Sequence, residues 1–503
     1  MSRRITLYVF LFFLCVNLAA SGGHTDTADG KTYYLVTENL AMNHSFKVST
    51  NSPSINSIQA STGYFTPEEL NAENKGIHTA KYVTSSPVLP VIGVPFYILA
   101  EAVHISPTAL VPFFENSIFL TLTSTVVFLF SSEIYNSKKI GFVLSIFAGV
   151  CSFSWPYIST YFEQPSASLM IILSLYFIWL STKNKFRSSA VLGGIFTGLI
   201  ALSHVAWLIS IPGILVFGVY SFRKGIKKII QFLLGFCSII SILFYINFTK
   251  YHSITNFGYG QYEGISAHLS VDGIYGMFFS PGFGLITNFP LFILFPISIY
   301  YLWRKEKTLA LIISYIFVVA WLFFGTLQTP IWHGFGGWGP RYMVPAIPII
   351  TIALGALLKE GIHKKFVKII YSGLAFLGFT VNLLGVLVWY QLGYMMGWTV
   401  LTRDKIPSSL HVYQYEWGLG YMPALLHLEV LVTQYWDKIN PKKMYAYWNA
   451  CVPDSFIYCN FGLIAITLML GAVIVLGFLI WRSLTNDSVS VKNQHINKSN
   501  EIM

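Results

Sequence analysis

Charge is scarce in this chain. Only 11% of its 503 residues are Asp, Glu, Lys or Arg, while 54% are hydrophobic and the mean hydropathy is +0.60. A water-facing surface cannot be covered from that composition, which excludes a soluble globule. The phosphate-loop pattern GxxxxGK[ST] is absent, and the basic connections between apolar runs are too short to hold a nucleotide-binding domain, so an ATP-driven machine is excluded. His and Cys never fall at zinc-site spacing, which leaves metal ligation without a sequence basis. Of the five cysteines, Cys15, Cys151 and Cys237 lie in or near apolar runs, where they pack as small hydrophobes; Cys451 and Cys459 could pair or stay free. Internal repeats are not evident.

What is present is a series of apolar segments. Spans are placed at roughly 5–21, 110–134, 140–158, 166–182, 188–203, 205–222, 229–247, 284–302, 308–326, 341–358, 366–390 and 458–482, about 12 in all. The expected fold is an all-α polytopic membrane protein. Lys and Arg, which give the chain its formal net charge of +11, cluster between the spans: Arg3 and Arg4, Lys138 and Lys139, Lys183 to Arg187, Arg223 to Lys228, Arg304 to Lys307, Lys359 to Lys368, and Arg482. All fall on one side of the expected topology, as the positive-inside rule asks of cytoplasmic loops. The charge therefore reports orientation rather than nucleic-acid binding, and it puts both termini in the cytoplasm.

Two segments resist simple counting. Pro87 to His104 is apolar but carries Pro87, Pro90, Pro95 and Glu101; as a full crossing it would invert every later basic loop, so a re-entrant or interfacial helix on the outer face is expected. The first span has the grammar of a signal peptide, with Ala19, Ala20 and Ser21 after its apolar core. Retention is favoured, because the loop that follows needs an anchor. The expected organisation is one integral-membrane domain over residues 1–482, with outer loops at about 21–107, 248–283 and 391–458, and a polar cytoplasmic tail over 483–503. Loops of this length usually serve a function.

Candidate chemistry gathers on the outer side. The first loop opens with Asp26, Asp29, Gly30 and Lys31, followed by Tyr33, Tyr34 and Glu38; an acid anchored at a lipid–water boundary suits proton abstraction from an incoming hydroxyl. A tight turn, Tyr157 to Pro165, carries Glu163, a carboxylate so near hydrocarbon that it must be paired or face a wet cavity. The segment Trp332 to Tyr342 combines glycines, two indoles and Arg341. Glycine lets backbone approach a ligand, Trp332 and Trp338 offer faces for a sugar or isoprenoid, and the arginine fork suits phosphate. The last outer loop is rich in Tyr and Trp, the composition of an interface belt more often than of a sugar-stacking surface.

These elements, in this order, resemble the GT-C superfamily of integral-membrane glycosyltransferases, in particular the prokaryotic group related to protein mannosyltransferases and aminoarabinose transferases. ADGKTYYLVTENLAMNHSF, from Ala28, is similar to that group's first-loop element and puts Asp29 in the place of its acid. YISTYFEQP matches a later turn, with Glu163 on the family glutamate; SPGFGLITNFP, Ser280 to Pro290, and GGWGPRYMVPAIP, Gly336 to Pro348, match two further motifs. The likeness extends from about residue 5 to residue 358. It departs at Ala28, where glycine is common, at His204 and Phe283, where arginine is common, and in lacking an Asp-Xaa-Asp element.

The resemblance implies a sugar donor carried on polyprenyl or dolichyl phosphate, and a protein, lipid or glycan acceptor on the extracytoplasmic face. It implies an inverting transfer with Asp29 as general base and Asp26 and Glu163 in reserve. The carrier phosphate would be held by Arg341, with Lys81, His204 and Tyr342 around it, and the sugar or isoprenoid would stack on Trp332, Trp338, Tyr33 and Tyr34. No cofactor is implied, and a divalent metal is not indicated. The competing readings are a secondary transporter or flippase of a lipid-linked or small polar substrate, suggested by twelve crossings with both ends inside, and a non-catalytic membrane scaffold. The transporter is disfavoured because the spans are almost free of acids while the outer rim is crowded with them.

Overall fold

The computed structural model describes residues 3–22, 27–55, 80–83, 86–257, 271–326, 331–334, 337–361, 364–388, 401–402, 404–407, 411–434 and 467–485. Apart from one short hairpin the secondary structure there is helical. In chain order the helices are α1 (Arg3–Ala20), α2 (Ala28–Asn43), α3 (Val88–Ala102), α4 (Pro107–Tyr135), α5 (Lys138–Gly149), α6 (Gln164–Thr182), α7 (Ser189–Ser203), α8 (Ile211–Ser221), α9 (Ile226–Tyr251) and α10 (Val271–Phe279). They continue with α11 (Phe295–Lys305), α12 (Lys307–Gly325), α13 (Ile347–Gly361), α14 (Lys365–Leu387), α15 (His411–Trp417), α16 (Pro423–Gln434) and α17 (Thr467–Thr485). Between α2 and α3, β1 (Lys47–Ser49) pairs antiparallel with β2 (Ala80–Tyr82), Val48 opposite Lys81.

Among the described residues eight helices are long and apolar enough to cross a membrane: α1, α4, α6, α9, α12, α13 with the 3-10 turn before it, α14 and α17. The chain is an integral membrane protein. The other expected spans are helical but short or broken. The segment 140–158 divides into α5 and a 3-10 turn, Trp155–Ser159; 205–222 begins as a 3-10 turn before α8; and 284–302 holds a four-residue helix, a 3-10 turn and α11. Proline drives much of this, since Pro156, Pro212, Pro290 and Pro296 each sit in the first turn of a new element, where a missing N–H costs nothing. Helix α3, the awkward apolar stretch, has 15 residues and packs on α2 and α4. At 1.5 Å per residue it is about 22 Å long, short of the ~30 Å hydrocarbon core.

The bundle is layered by burial. In α13 and its preceding turn 83% of the apolar window is enclosed, and in α4 78%; in α9 the figure is 17% and in α17 11%. The first two are therefore the spine and the last two present apolar faces to lipid, as a membrane solvent allows. Helix α4 packs on α1, α5 and α6, α13 on α5 and α11, and α7 lies between α6 and α9.

Two ends of the bundle are chemically distinct. Where α6 finishes, Lys183 pairs with Glu306, Lys185 with Glu133 at the end of α4, and Lys228 at the start of α9 reaches Ser181 and Asn184. Where α6 begins, Glu163 and Gln164 meet His204 at the end of α7. The loops at 183–187, 223–228 and 304–307 thus meet at one end of α6 and the candidate site lies at the other. One carboxylate sits inside an expected span: Glu115 lies fully buried within α4.

Candidate functional site: a buried arginine between two carboxylates

Helix α2 begins where Thr27 Oγ1 accepts the Gly30 N–H at 2.9 Å, a cap that leaves Asp29 in the first turn beside the positive end of the helix. Its carboxylate accepts a hydrogen bond from Arg341 Nη1 at 3.0 Å, joining residues 312 positions apart. The two differ in exposure: the Asp29 side chain is 50% accessible and that of Arg341 10%. One partner faces out and the other is planted in the protein.

Arg341 opens the 3-10 turn Arg341–Ala346 that leads into α13. Its guanidinium lies over the Phe162 ring, 4.6 Å from the centroid, and 5.3 Å from that of Tyr342, contacts of the kind a cation makes with aromatic faces. Tyr342 in turn stacks on Phe324 at 4.9 Å. The Nη1 edge is occupied by Asp29, but Nε is buried with no hydrogen-bond partner. A buried unpaired donor on a cation is costly, which marks this edge as a place for a ligand acceptor.

The glycine-rich segment is shaped around that side chain. Gly334 has φ +76°, and a Cβ there would come within 2.8 Å of Arg341 Nε; at Gly337 it would meet Tyr157 Oη at 2.6 Å and Arg341 Cβ at 3.0 Å. Glycine is needed because the arginine and the tyrosine fill the space a side chain would take. Tyr157 Oη accepts the Trp338 N–H at 3.1 Å and donates to the Trp338 carbonyl at 2.9 Å, so one phenol closes the loop.

A second cluster adjoins the first. Glu163 precedes α6, and its Oε1 lies 3.2 Å from His204 Nδ1, both side chains nearly inaccessible. Gln164 Nε2 approaches the other ring nitrogen of His204 at 3.4 Å. Burial pushes the Glu163 carboxyl up to about 7, against the pull of the Ser86 and Tyr33 hydroxyls and of Arg341, with Asp29 adding to the rise. Burial and the Arg341 charge push His204 down to about 3. Near neutral pH the pair is an uncharged imidazole beside a carboxyl poised to hold or release one proton.

The remaining expected residues are distributed unevenly. Tyr33 is buried against Glu163, and Tyr34 is buried beside Tyr97, their rings 6.4 Å apart. Lys81 lies on β2. Trp332 and Trp338 are enclosed rather than open: Trp332 Nε1 donates to Glu416 at 3.1 Å, and Trp338 Nε1 donates to Asn382 at 3.1 Å. In this structure both indoles are walls of the glycine-rich segment and neither presents a free face. Asp26, Cys451 and Cys459 lie outside the described residues. Among the described residues no group of three or more His, Cys, Asp or Glu is placed to hold a metal.

Sequence reasoning did not single out His333 and Glu416. His333 Nε2 lies 3.3 Å from Glu416 Oε1, and its ring stacks on Phe283 at 3.9 Å. Glu416 also accepts, at its backbone oxygen, from Ser280 Oγ at 2.6 Å and from the Gly282 N–H at 3.3 Å. Phe283, noted as a departure from an expected arginine, thus supports a histidine. Helix α15, which carries Glu416, reaches the SPGFG turn and the glycine-rich segment through one acid.

Two solved structures are similar to the chain. One is ArnT from Cupriavidus metallidurans bound to undecaprenyl phosphate, at 15% identity and a TM-score of 0.48, covering 85% of this chain and 77% of that one. The other is ArnT from the same organism in the apo state, at 16% identity and 0.47, covering 84% and 76%. No family model matches the sequence, and no curated protein matches it.

Proposed function

We propose that the protein is a membrane glycosyltransferase of the GT-C kind, moving a sugar from a polyprenyl- or dolichyl-phosphate carrier to an acceptor at the extracytoplasmic face. The observation that carries this reading is the Asp29–Arg341 pair: a half-exposed carboxylate hydrogen-bonded to a buried guanidinium whose Nε has no partner. A base and a phosphate receptor are then one side chain apart, the proximity a transfer reaction requires.

In the proposed step Asp29 takes the proton of the acceptor hydroxyl as that oxygen attacks the anomeric carbon from the face opposite the carrier. The bond between the anomeric carbon and the phosphate oxygen breaks, and the carrier leaves as a phosphate monoester, so configuration inverts. The negative charge that grows on the leaving oxygen is met by Arg341, a fixed cation only 10% accessible at its side chain and therefore weakly screened. Nε lies beneath Gly334, where a Cβ would come within 2.8 Å of it, so glycine is what leaves that edge of the guanidinium without a side chain over it. Glu163 and His204, 3.2 Å apart, supply a one-proton reserve beside the site. The energy of transfer resides in the sugar–phosphate bond, which fits a chain without a phosphate loop for ATP.

The competing transporter reading draws on Glu115, a carboxyl within α4. The two are separated by following a radiolabelled sugar on undecaprenyl phosphate in proteoliposomes. Transfer predicts label leaving the carrier for an acceptor; transport predicts label crossing the bilayer with its carrier bond intact, which would overturn the proposal.

A further inference from the structure

The turn that carries Phe162 and Glu163 follows directly on the 3-10 turn Trp155–Ser159, and every residue from Trp155 to Glu163 is buried. Its carbonyls cannot turn to water, so the question is what satisfies them. Asn116 does. Fully buried about 14 Å along α4, its Nδ2 donates to Tyr157 O at 3.3 Å, Thr160 O at 2.5 Å and Phe162 O at 3.1 Å. An amide nitrogen has two hydrogens, so one is shared. An apolar side chain at 116 would take this donor from the Thr160 and Phe162 carbonyls, while the Tyr157 carbonyl would keep the Thr160 N–H and hydroxyl.

Tyr161 ties the same turn outward. Its hydroxyl lies 2.9 Å from Thr37 Oγ1 on α2 and donates to the Leu89 carbonyl on α3 at 3.3 Å. Gly30, next to Asp29, lies against the Tyr161 backbone, where a Cβ would sit 3.4 Å from the Tyr161 oxygen. The turn is therefore the common support of three groups: Asp29 through α2, Arg341 through the Phe162 ring, and Glu163 directly.

We infer that Asn116 is a positioning residue of the transfer site, holding the 157–162 backbone in the one conformation that sets Phe162 under Arg341 and Glu163 against His204. It touches no substrate. The inference deepens the transfer reading and rests on it for its kinetic consequences, while the anchoring itself is independent of any reaction.

The test uses the full chain in lipid nanodiscs with Asn116→Leu, which keeps the branched shape at a larger volume and loses the amide's donors together with its unpartnered oxygen, and Asn116→Ala as a second variant should the leucine fold poorly. Three quantities are read: amide hydrogen exchange across 157–164, kcat per folded molecule with the undecaprenyl-phosphate sugar, and the pH profile of kcat. Exchange in the turn should quicken by at least tenfold, and kcat should fall on the order of tenfold to a hundredfold. The limb of the profile set by Glu163, which faces His204, Tyr33, Ser86, Asp29 and Arg341, should move toward ordinary carboxylate values as that group gains water. Exchange at the wild-type rate would overturn the inference. So would faster exchange with kcat and pH profile unchanged, because a merely structural residue gives that result. No turnover by the unaltered protein would instead strike the transfer reading, and exchange alone would still decide whether Asn116 holds the turn.

Discussion

Replacing Glu163 by glutamine removes one ionisation and leaves the shape of the turn. In the folded protein burial lifts this carboxyl from its ordinary 4.5 to about 7, which corresponds to about 3 kcal/mol of preference for the neutral form. The sign follows from linkage. A raised carboxyl contributes stability that is fully present below 4.5 and lost as pH rises through 7. Glutamine cannot ionise, so Glu163→Gln should match the wild type near pH 4.5 and exceed it by about 3 kcal/mol above pH 8. His204 keeps its place in both proteins, and its contribution, lost as pH falls from 6.5 toward 3, cancels in the comparison. The assay is thermal unfolding of both proteins in one detergent from pH 5 to 8.5. A difference in Tm that widens with pH is expected. A flat difference, or one that closes as pH rises, would refute the claim that Glu163 is held neutral by burial.

Further outcomes follow from the same geometry. Tyr157→Phe deletes the hydroxyl that both accepts from and donates to Trp338, and should lower stability by about 1–3 kcal/mol through two unsatisfied backbone groups; unchanged unfolding would remove Tyr157 from that role. Gly334→Ala forces a side chain into a φ of +76° and toward Arg341 Nε; besides a cost of about 1–2 kcal/mol, affinity for undecaprenyl phosphate should drop measurably by calorimetry or fluorescence. Arg341→Lys keeps the charge but loses the planar fork, and should weaken the same binding about tenfold or more; wild-type affinity would place the phosphate elsewhere. For orientation, a cysteine in place of Gly420 should react with a membrane-impermeant thiol reagent added outside and one in place of Lys227 should not; the reverse pattern would put the candidate site in the cytoplasm.

The parts of this molecule that were legible in the sequence are those that depend on long averages or on strongly typed residues. Helices α1, α4, α6, α9, α12, α13, α14 and α17 follow from hydropathy windows because lipid demands a sustained apolar run. Asp29 and Arg341 stood out as an acid and a fork at the edges of such runs, and the structure joins them. Asn116 and Glu115 did not stand out, because one polar pair inside an apolar window hardly moves its average; only the folded turn shows that the amide has three carbonyls to hold. Trp332 and Trp338 read as open faces because an indole beside glycines suggests accessibility, whereas partners from Glu416 and Asn382 enclose both rings. His333 and Glu416, 83 residues apart, carried no signal in either segment alone. The short and broken spans were overestimated in regularity, since proline at an element start marks a break without giving the direction in which the chain resumes.

The most direct test of the central claim is single-turnover release of radiolabelled sugar from its undecaprenyl-phosphate carrier by the Asp29→Asn protein. The asparagine keeps the size of the side chain and can still accept from Arg341, so fold and donor binding should persist. An amide cannot take the acceptor's proton, and the account predicts release slowed on the order of a hundredfold or more. Release at the wild-type rate, with donor bound normally, would contradict it.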